Sequence, residues 1–464
     1  MEYTRRSILQ ASGGALAGSV LAGCLSEPGG SDDGESSGYA AFFTLWDWTN
    51  QIGGDELSFE NPVDVGEMGH GWEPPADTRR DIVASDIFVY LDTDEFSWAQ
   101  NVAADLETDY DDVTVIDGMA GLENQLLPID READDDREPA TDHEFDPETV
   151  SIGAFDLYDR QSGEETAYWH DDADHWHGGI PEVPTDGYIT VEGVFEDDEG
   201  RVLPLDGEPF VLDASLADGA NEGVVDIVSQ GDHVEFHGLE EGRTRILFEL
   251  VADGEVVWDT SSDLMTVDIV ADIADDAAPE FYDPHVWADP ILAQNIVETI
   301  ADGLADADPD NSDYYHDNAA AYIERLDEVD QQFADLASNA TRDTAVFAGH
   351  DSFQYLEQRY GFELHTPVGV APDAAEVESD ISESIDIVEE HDIDTILYDP
   401  FETTGSEDVP EMVELLLENT DATNYEPLSA GEGTTAEWND RGWGWVEQME
   451  ELNIPSLRTA LGAE

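Results

Sequence analysis

The chain has 464 residues, of which 113 are acidic and 15 basic, giving a formal net charge of −98 with 40 % hydrophobic residues. That apolar fraction can build more than one core and argues against disorder throughout. The charge argues against a nucleic-acid partner, because phosphate recognition needs a basic patch.

All 15 basic residues are arginine. Such a surface repels itself in dilute buffer, but at about 1 M salt the Debye length is about 3 Å and the repulsion is screened. The composition therefore reads as adaptation to a very salty medium. In chain order, residues 1–23 read as a twin-arginine export signal. Arg5-Arg6 precede an apolar run, 8–22, that is too short to span a bilayer. The run ends Leu21-Ala22-Gly23-Cys24, which resembles a lipoprotein cleavage box whose cysteine becomes the lipidated first residue. Cys24 is the single cysteine, so neither an intrachain disulfide nor a cysteine-based zinc cluster is available. Residues 24–38 form a flexible tether, and no other stretch is long and apolar enough to cross a membrane.

From Tyr39 the pattern alternates. Residues 39–45 read as strand, 46–52 as helix closed by Gly53-Gly54, 87–91 as strand, 96–106 as helix and 113–116 as strand. This order predicts a mostly parallel sheet with helices on its faces. After the acidic stretch 128–148 come short β patterns at 151–158, 188–195, 210–214, 224–228, 233–236, 245–251, 256–259 and 265–270, separated by turns such as Asp253-Gly254. They predict a small sandwich inserted at 145–272. The α/β pattern then returns. Asp289 is a good N-cap with Pro290 at the first helical position, predicting a helix to about 305. A second helix opens at Pro309. Along it Tyr315, Ala319, Tyr322, Leu326, Val329, Phe333 and Leu336 form one apolar face over a length of about 40 Å. A strand at 344–348, a helix at 351–360, a strand at 395–398 and a terminal helix at 443–452 follow.

The expected fold class is α/β. Two lobes, each a mostly parallel sheet with flanking helices, are joined by one long helix and carry an inserted all-β sandwich-like domain. The N-terminal lobe would take 39–144 and 273–308, the β domain 145–272, the connecting helix 309–340 and the C-terminal lobe 341–464.

Three histidines share a setting. His70 lies in Gly69-His70-Gly71-Trp72-Glu73-Pro74-Pro75-Ala76-Asp77, His285 in Asp283-Pro284-His285-Val286-Trp287-Ala288-Asp289-Pro290, and His350 in Phe347-Ala348-Gly349-His350-Asp351-Ser352-Phe353. Each stands at a strand-to-helix connection, and in open α/β sheets those loops gather in the crevice beyond the strand ends. Imidazole suits zinc, copper, nickel or iron better than calcium or magnesium. The neutral ring is the ligand, so binding weakens as pH falls. Three histidines with an open fourth position also describe a zinc-dependent hydrolase, although no His-Glu-x-x-His helix or Gly-x-Ser-x-Gly elbow occurs.

These three segments, in this order, resemble the ligand segments of the zinc- and manganese-type substrate-binding proteins of metal ABC transporters. Residues 306–336 resemble that family's connecting helix, and Ile396-Leu397-Tyr398-Asp399-Pro400 its late strand. The resemblance covers 39–127 and 279–464. It implies an extracellular protein, not an enzyme, lipid-anchored through Cys24 to the outer face of the cell membrane. Such a protein captures Zn2+ between two lobes and hands it to an ABC permease and its ATPase, with Mn2+ or Fe2+ as alternative cargo. It implies His70, His285 and His350 as metal ligands, and Glu426 in Tyr425-Glu426-Pro427-Leu428 as the fourth, with Asp399 or a water as rivals. Zinc-type members also carry a mobile His/acid-rich loop, which here corresponds to 168–178 with His170, His175 and His177 as an auxiliary capture site.

Overall fold

The computed structural model describes residues 37–463 apart from 70, 71, 73, 94, 95, 111, 130–142, 144, 148, 171–174, 186, 206–208, 218, 253, 272, 274–281, 368–377 and 402–408. The N-terminal lobe runs β1 (Gly38–Ala40), α1 (Phe43–Gly53), β2 (Phe59–Glu60), α2 (Ala76–Ala84), β3 (Ile87–Tyr90), α3 (Ser97–Asp109) and β4 (Thr114–Asp117). Its strands form one parallel sheet in the order β2-β1-β3-β4. The first strand is shorter than the pattern predicts, because Phe43, Thr44 and Leu45 already belong to α1. That helix buries Phe43, Leu45, Trp48 and Ile52 on more than one face, so its first turn carries no amphipathic signal to separate it from a buried strand.

A sandwich of two sheets follows. Its strands are β5 (Ile152–Asp159), β6 (Glu165–His170), β7 (His175–Gly178), β8 (Val183–Pro184), β9 (Tyr188–Asp197), β10 (Phe210–Leu216), β11 (Val225–Ser229), β12 (His233–Gly238), β13 (Gly242–Ala252), β14 (Glu255–Asp259) and β15 (Met265–Val270). One sheet is ordered β11-β12-β9-β5-β6-β7, the other β10-β13-β15-β8 with β14 beside β13. An aromatic core joins them: Phe155 stacks on Phe195 at 4.0 Å and meets Phe248 at 5.7 Å. Two arginines dock this domain on the N-terminal lobe. Arg243 Nη1 donates to Tyr90 Oη at 2.9 Å, its Nη2 to Asp92 and its Nε to Asp268 at 2.8 Å, while Arg245 pairs with Asp105.

The Asp289 side chain accepts from Ile291 N and Leu292 N and starts α4 (Pro290–Ala307). The connecting helix α5 (Ser312–Asn339) buries the same seven residues that the spacing marks as its apolar face. The C-terminal lobe comprises β16 (Thr344–Ala348), α6 (Gln354–Tyr360), β17 (Glu363–His365), α7 (Glu378–Glu390), β18 (Thr395–Tyr398), α8 (Glu411–Asn419), β19 (Asn424–Pro427), α9 (Ala436–Arg441), α10 (Trp445–Gln448) and α11 (Ile454–Ala460). Its sheet is again parallel, in the order β17-β16-β18-β19. The terminal helix runs past the predicted end at 452 through Pro455. A π-helical turn at Met449–Asn453 widens the backbone just before the proline, where a regular turn would clash with its ring. Across the lobes, the buried Asp47 carboxylate of α1 accepts from Trp445 N at 2.8 Å and from Tyr322 Oη of the connecting helix at 3.1 Å. Among the described residues no helix is long and apolar enough to cross a membrane.

Candidate metal centre

His285 stands immediately before a 3-10 turn, Val286–Ala288, that leads into α4. His350 lies in the loop between β16 and α6, and Glu432 in the loop between β19 and α9. These three loops put one donor atom each at a common point. His285 Nε2 is 3.3 Å from His350 Nε2, and Glu432 Oε1 is 3.3 Å from each nitrogen. Both histidines are 0 % exposed and Glu432 is 2 % exposed. Charge-assisted hydrogen bonds would draw such atoms to about 2.7–2.9 Å. Four ligands placed tetrahedrally about 2.0–2.1 Å from a zinc ion are instead about 3.3–3.4 Å apart. The equilateral triangle therefore has the dimensions of one face of a zinc coordination tetrahedron.

Asp283 orients the first ring. Its Oδ1 is 2.7 Å from His285 Nδ1 and accepts the His285 backbone N–H at 2.9 Å, with the Asp283 side chain fully buried. A proton on Nδ1 directed at this carboxylate turns the Nε2 lone pair toward His350 and Glu432. Burial alone would lower the His285 pKa, but Asp283 and then Glu432 more than offset it and raise it to about 9. Asp351, next to His350, is pushed up to about 6, first by burial and then by the Asp283 charge.

The structure thus brings together His285 and His350 of the expected set and adds Glu432. His70, Gly71 and Glu73 lie outside the described residues. The chain leading to them runs beside the Glu432 loop, with Gly66 N donating to Thr434 O at 2.9 Å. Glu426, expected as the fourth ligand, sits half-buried in β19, paired in register with Leu397, and the donors grouped among the described residues are His285, His350 and Glu432. The crevice is reached by the loop after a strand, not by the strand itself. Asp399, the rival, is buried and caps its own turn by accepting from Phe401 N at 2.7 Å.

A signal for Glu432 exists in Ala430-Gly431-Glu432-Gly433, a carboxylate held between glycines past a strand. Gly431 has φ +85°, and a Cβ on Gly433 would come within 2.5 Å of the Glu67 carbonyl oxygen, so both positions demand glycine.

Of the His/acid-rich segment expected as a loop, residues 168–170 and 175–178 are instead paired strands. His170 opposes His175, and Tyr168 opposes His177, across β6 and β7. His175 and His177 share one face, rings 4.6 Å apart, but His177 is 1 % exposed and stacked on Tyr168. The inward Trp169 and Trp176 supply the burial that makes these polar residues strand. Their turn, 171–174, lies outside the described residues, as does Cys24 with the whole of 1–36.

The family described as zinc-uptake complex component A, periplasmic, matches residues 39–440. The chain belongs to this family. Among its relatives, the high-affinity zinc uptake system protein ZnuA of Bacillus subtilis is 28 % identical over 179 residues, 39 % of this chain and 53 % of that protein. The zinc-binding lipoprotein AdcA of Streptococcus pneumoniae is 29 % identical over 183 residues, 39 % of this chain and 35 % of that protein. The match therefore spans about half or less of these relatives' own lengths. In fold, the chain resembles the crystal structure of Zn(II)-bound AdcA from Streptococcus pneumoniae, with a TM-score of 0.51 and 18 % identity, covering 93 % of this chain and 59 % of that one. The metal-dependent lipoprotein YcdH from Bacillus subtilis gives a TM-score of 0.50 at 17 % identity, covering 92 % and 99 %. The zinc-uptake family's architecture of two α/β lobes joined by a long helix is thus the architecture found here.

Proposed function

We propose that this chain is the extracellular substrate-binding component of a zinc ABC importer, holding one Zn2+ through His285, His350 and Glu432 and delivering it to a permease driven by its ATPase. The triangle of donor atoms with 3.3 Å edges carries the reading. Membership of the zinc-uptake family and the zinc-binding names of its relatives support the choice of cargo. His70 is assigned as the remaining ligand on its sequence context, giving three imidazoles and one carboxylate. Two imidazoles in the triangle favour zinc over the harder manganese ion. The near-complete burial of the donors favours a carrier over an enzyme, which needs an open coordination position for its substrate. Export by the twin-arginine signal, lipid anchoring at Cys24 and operation in concentrated salt complete the proposal. His175 and His177 would act at most as a rigid secondary site on the β domain.

The test is metal content and affinity of the purified chain in about 2 M salt, where charge repulsion is screened. One zinc per chain is expected, lost on replacing His285 or His350 by alanine. Full zinc occupancy in either variant would overturn the reading.

A further inference from the structure

Glu432 belongs to the C-terminal lobe, yet the peptide that carries it is held from the N-terminal lobe. Trp287 Nε1 donates to the Ala430 carbonyl at 2.9 Å, and Thr44 Oγ1 donates to the Gly431 carbonyl at 2.5 Å. Within its own lobe the same loop is anchored at both ends. Ser429 N donates to Asn453 Oδ1 at 3.0 Å, and Gln448 Nε2 to the Gly433 carbonyl at 3.0 Å. The two donors from the other lobe therefore act on the middle of the loop, directly before the ligand. Trp287 does more than bond it. The indole lies 5.1 Å from the His285 ring, tilted by 56°, and packs among Phe42 and Phe96 at 4.9 and 5.6 Å. One side chain thus touches the first ligand and fixes the peptide that leads to another. Gly431 permits the close approach, since a Cβ there would stand 3.2 Å from Thr44 Oγ1.

We infer that Trp287 and Thr44 are positioning residues that latch the Glu432 loop across the lobes and thereby set the rate of zinc release. The inference rests on the zinc reading of the site. An ion enclosed by donors that are 0–2 % exposed leaves only when the lobes part. Withdrawing Glu432 with its loop then breaks both bonds to the N-terminal lobe. Removing either donor weakens the state with the Glu432 carboxylate on the ion but not the state with it withdrawn, so the withdrawn population rises and zinc escapes faster.

The test compares the full chain with Trp287→Phe and Thr44→Val, each with and without Glu432→Gln, in about 2 M salt. Zinc release is followed by stopped-flow transfer to a chelator, and the ligand set by the visible absorption of the Co2+-loaded protein. Trp287→Phe and Thr44→Val are each expected to release zinc about 3- to 10-fold faster, the range for one lost hydrogen bond. Their cobalt spectra should move toward that of Glu432→Gln. In the Glu432→Gln background neither should add a further increase, because both act through that carboxylate. Wild-type release rates in both single variants, or effects that add in full to Glu432→Gln, would overturn the latch while leaving the zinc site standing. An unchanged rate in Glu432→Gln itself would instead remove the site on which the latch rests. Should Trp287→Phe not fold, the near-isosteric Thr44→Val carries the same comparison.

Discussion

Replacing Asp283 by asparagine probes the centre through a residue that would not touch the ion. Its carboxylate holds His285 Nδ1 at 2.7 Å inside a fully buried setting. Carboxylates that orient a ligating histidine contribute about 10- to 100-fold to metal affinity. The same carboxylate, together with Glu432, raises the His285 pKa to about 9. In the metal-free chain at pH 7 the ring therefore carries a proton that zinc must displace, a penalty of roughly 100-fold for two pH units. The Asp283→Asn variant would give up the orientation but would also relieve part of that penalty. The two effects oppose each other at pH 7, and only the first remains above pH 9. The wild-type advantage should thus approach about 10- to 100-fold at pH 9.5 and shrink toward unity at pH 7. Chelator-buffered zinc titrations at both pH values, in molar salt, measure the ratio. An equal loss at both, or a larger loss at pH 7, would refute the role given to Asp283.

Glu432→Gln should weaken zinc binding by about 10²- to 10³-fold, if about 10–16 kcal/mol of binding is shared among four ligands. Glu426→Gln should leave it within about twofold, and competition against a chelator decides between the two carboxylates. The metal-free chain should melt at a higher temperature at pH 5.5 than at pH 8. Burial first of all raises Asp351 to about 6 and both Glu357 and Asp117 to about 7, so the folded chain retains protons that the unfolded chain releases above about pH 4. His285, raised to about 9, loses its own contribution as pH climbs from about 6.5 through that value. Asp197, Asp232 and Asp308 are lowered, so their contributions disappear only below about pH 4, outside this window. Calorimetry showing a higher melting temperature at pH 8 would contradict this balance. Arg243→Met should cost about 1–3 kcal/mol, because it removes the partly buried cation shared by Asp92 and Asp268, the latter already 42 % exposed. A thermal shift equivalent to less than about 1 kcal/mol would show that the β domain is not held by this pair.

Much of the scaffold was readable from neighbouring residues. The seven buried positions of α5 follow from steps of three and four, and Asp289-Pro290 marks the start of α4, because helix periodicity and capping depend only on residues within a turn of each other. His285 and His350 were legible for the same reason, each announced by a short motif at a strand-to-helix turn. The hairpin of β6 and β7 was not, since its polar residues alternate with tryptophans whose burial is supplied by the opposing sheet. Glu432 was least accessible of all. With 113 acidic residues, the glycines on either side of Glu432 are a weak signal, and the strand-end Glu426 looked equally eligible. The choice falls to the closure of two lobes, in which Trp287 and Thr44 grip a loop from the far end of the chain. Sequence alone marked most helices and strands and the two turns that carry His285 and His350. Only tertiary packing decided which carboxylate meets them, because convergence of distant loops is a property of the whole core and leaves only a faint mark on any one stretch of chain.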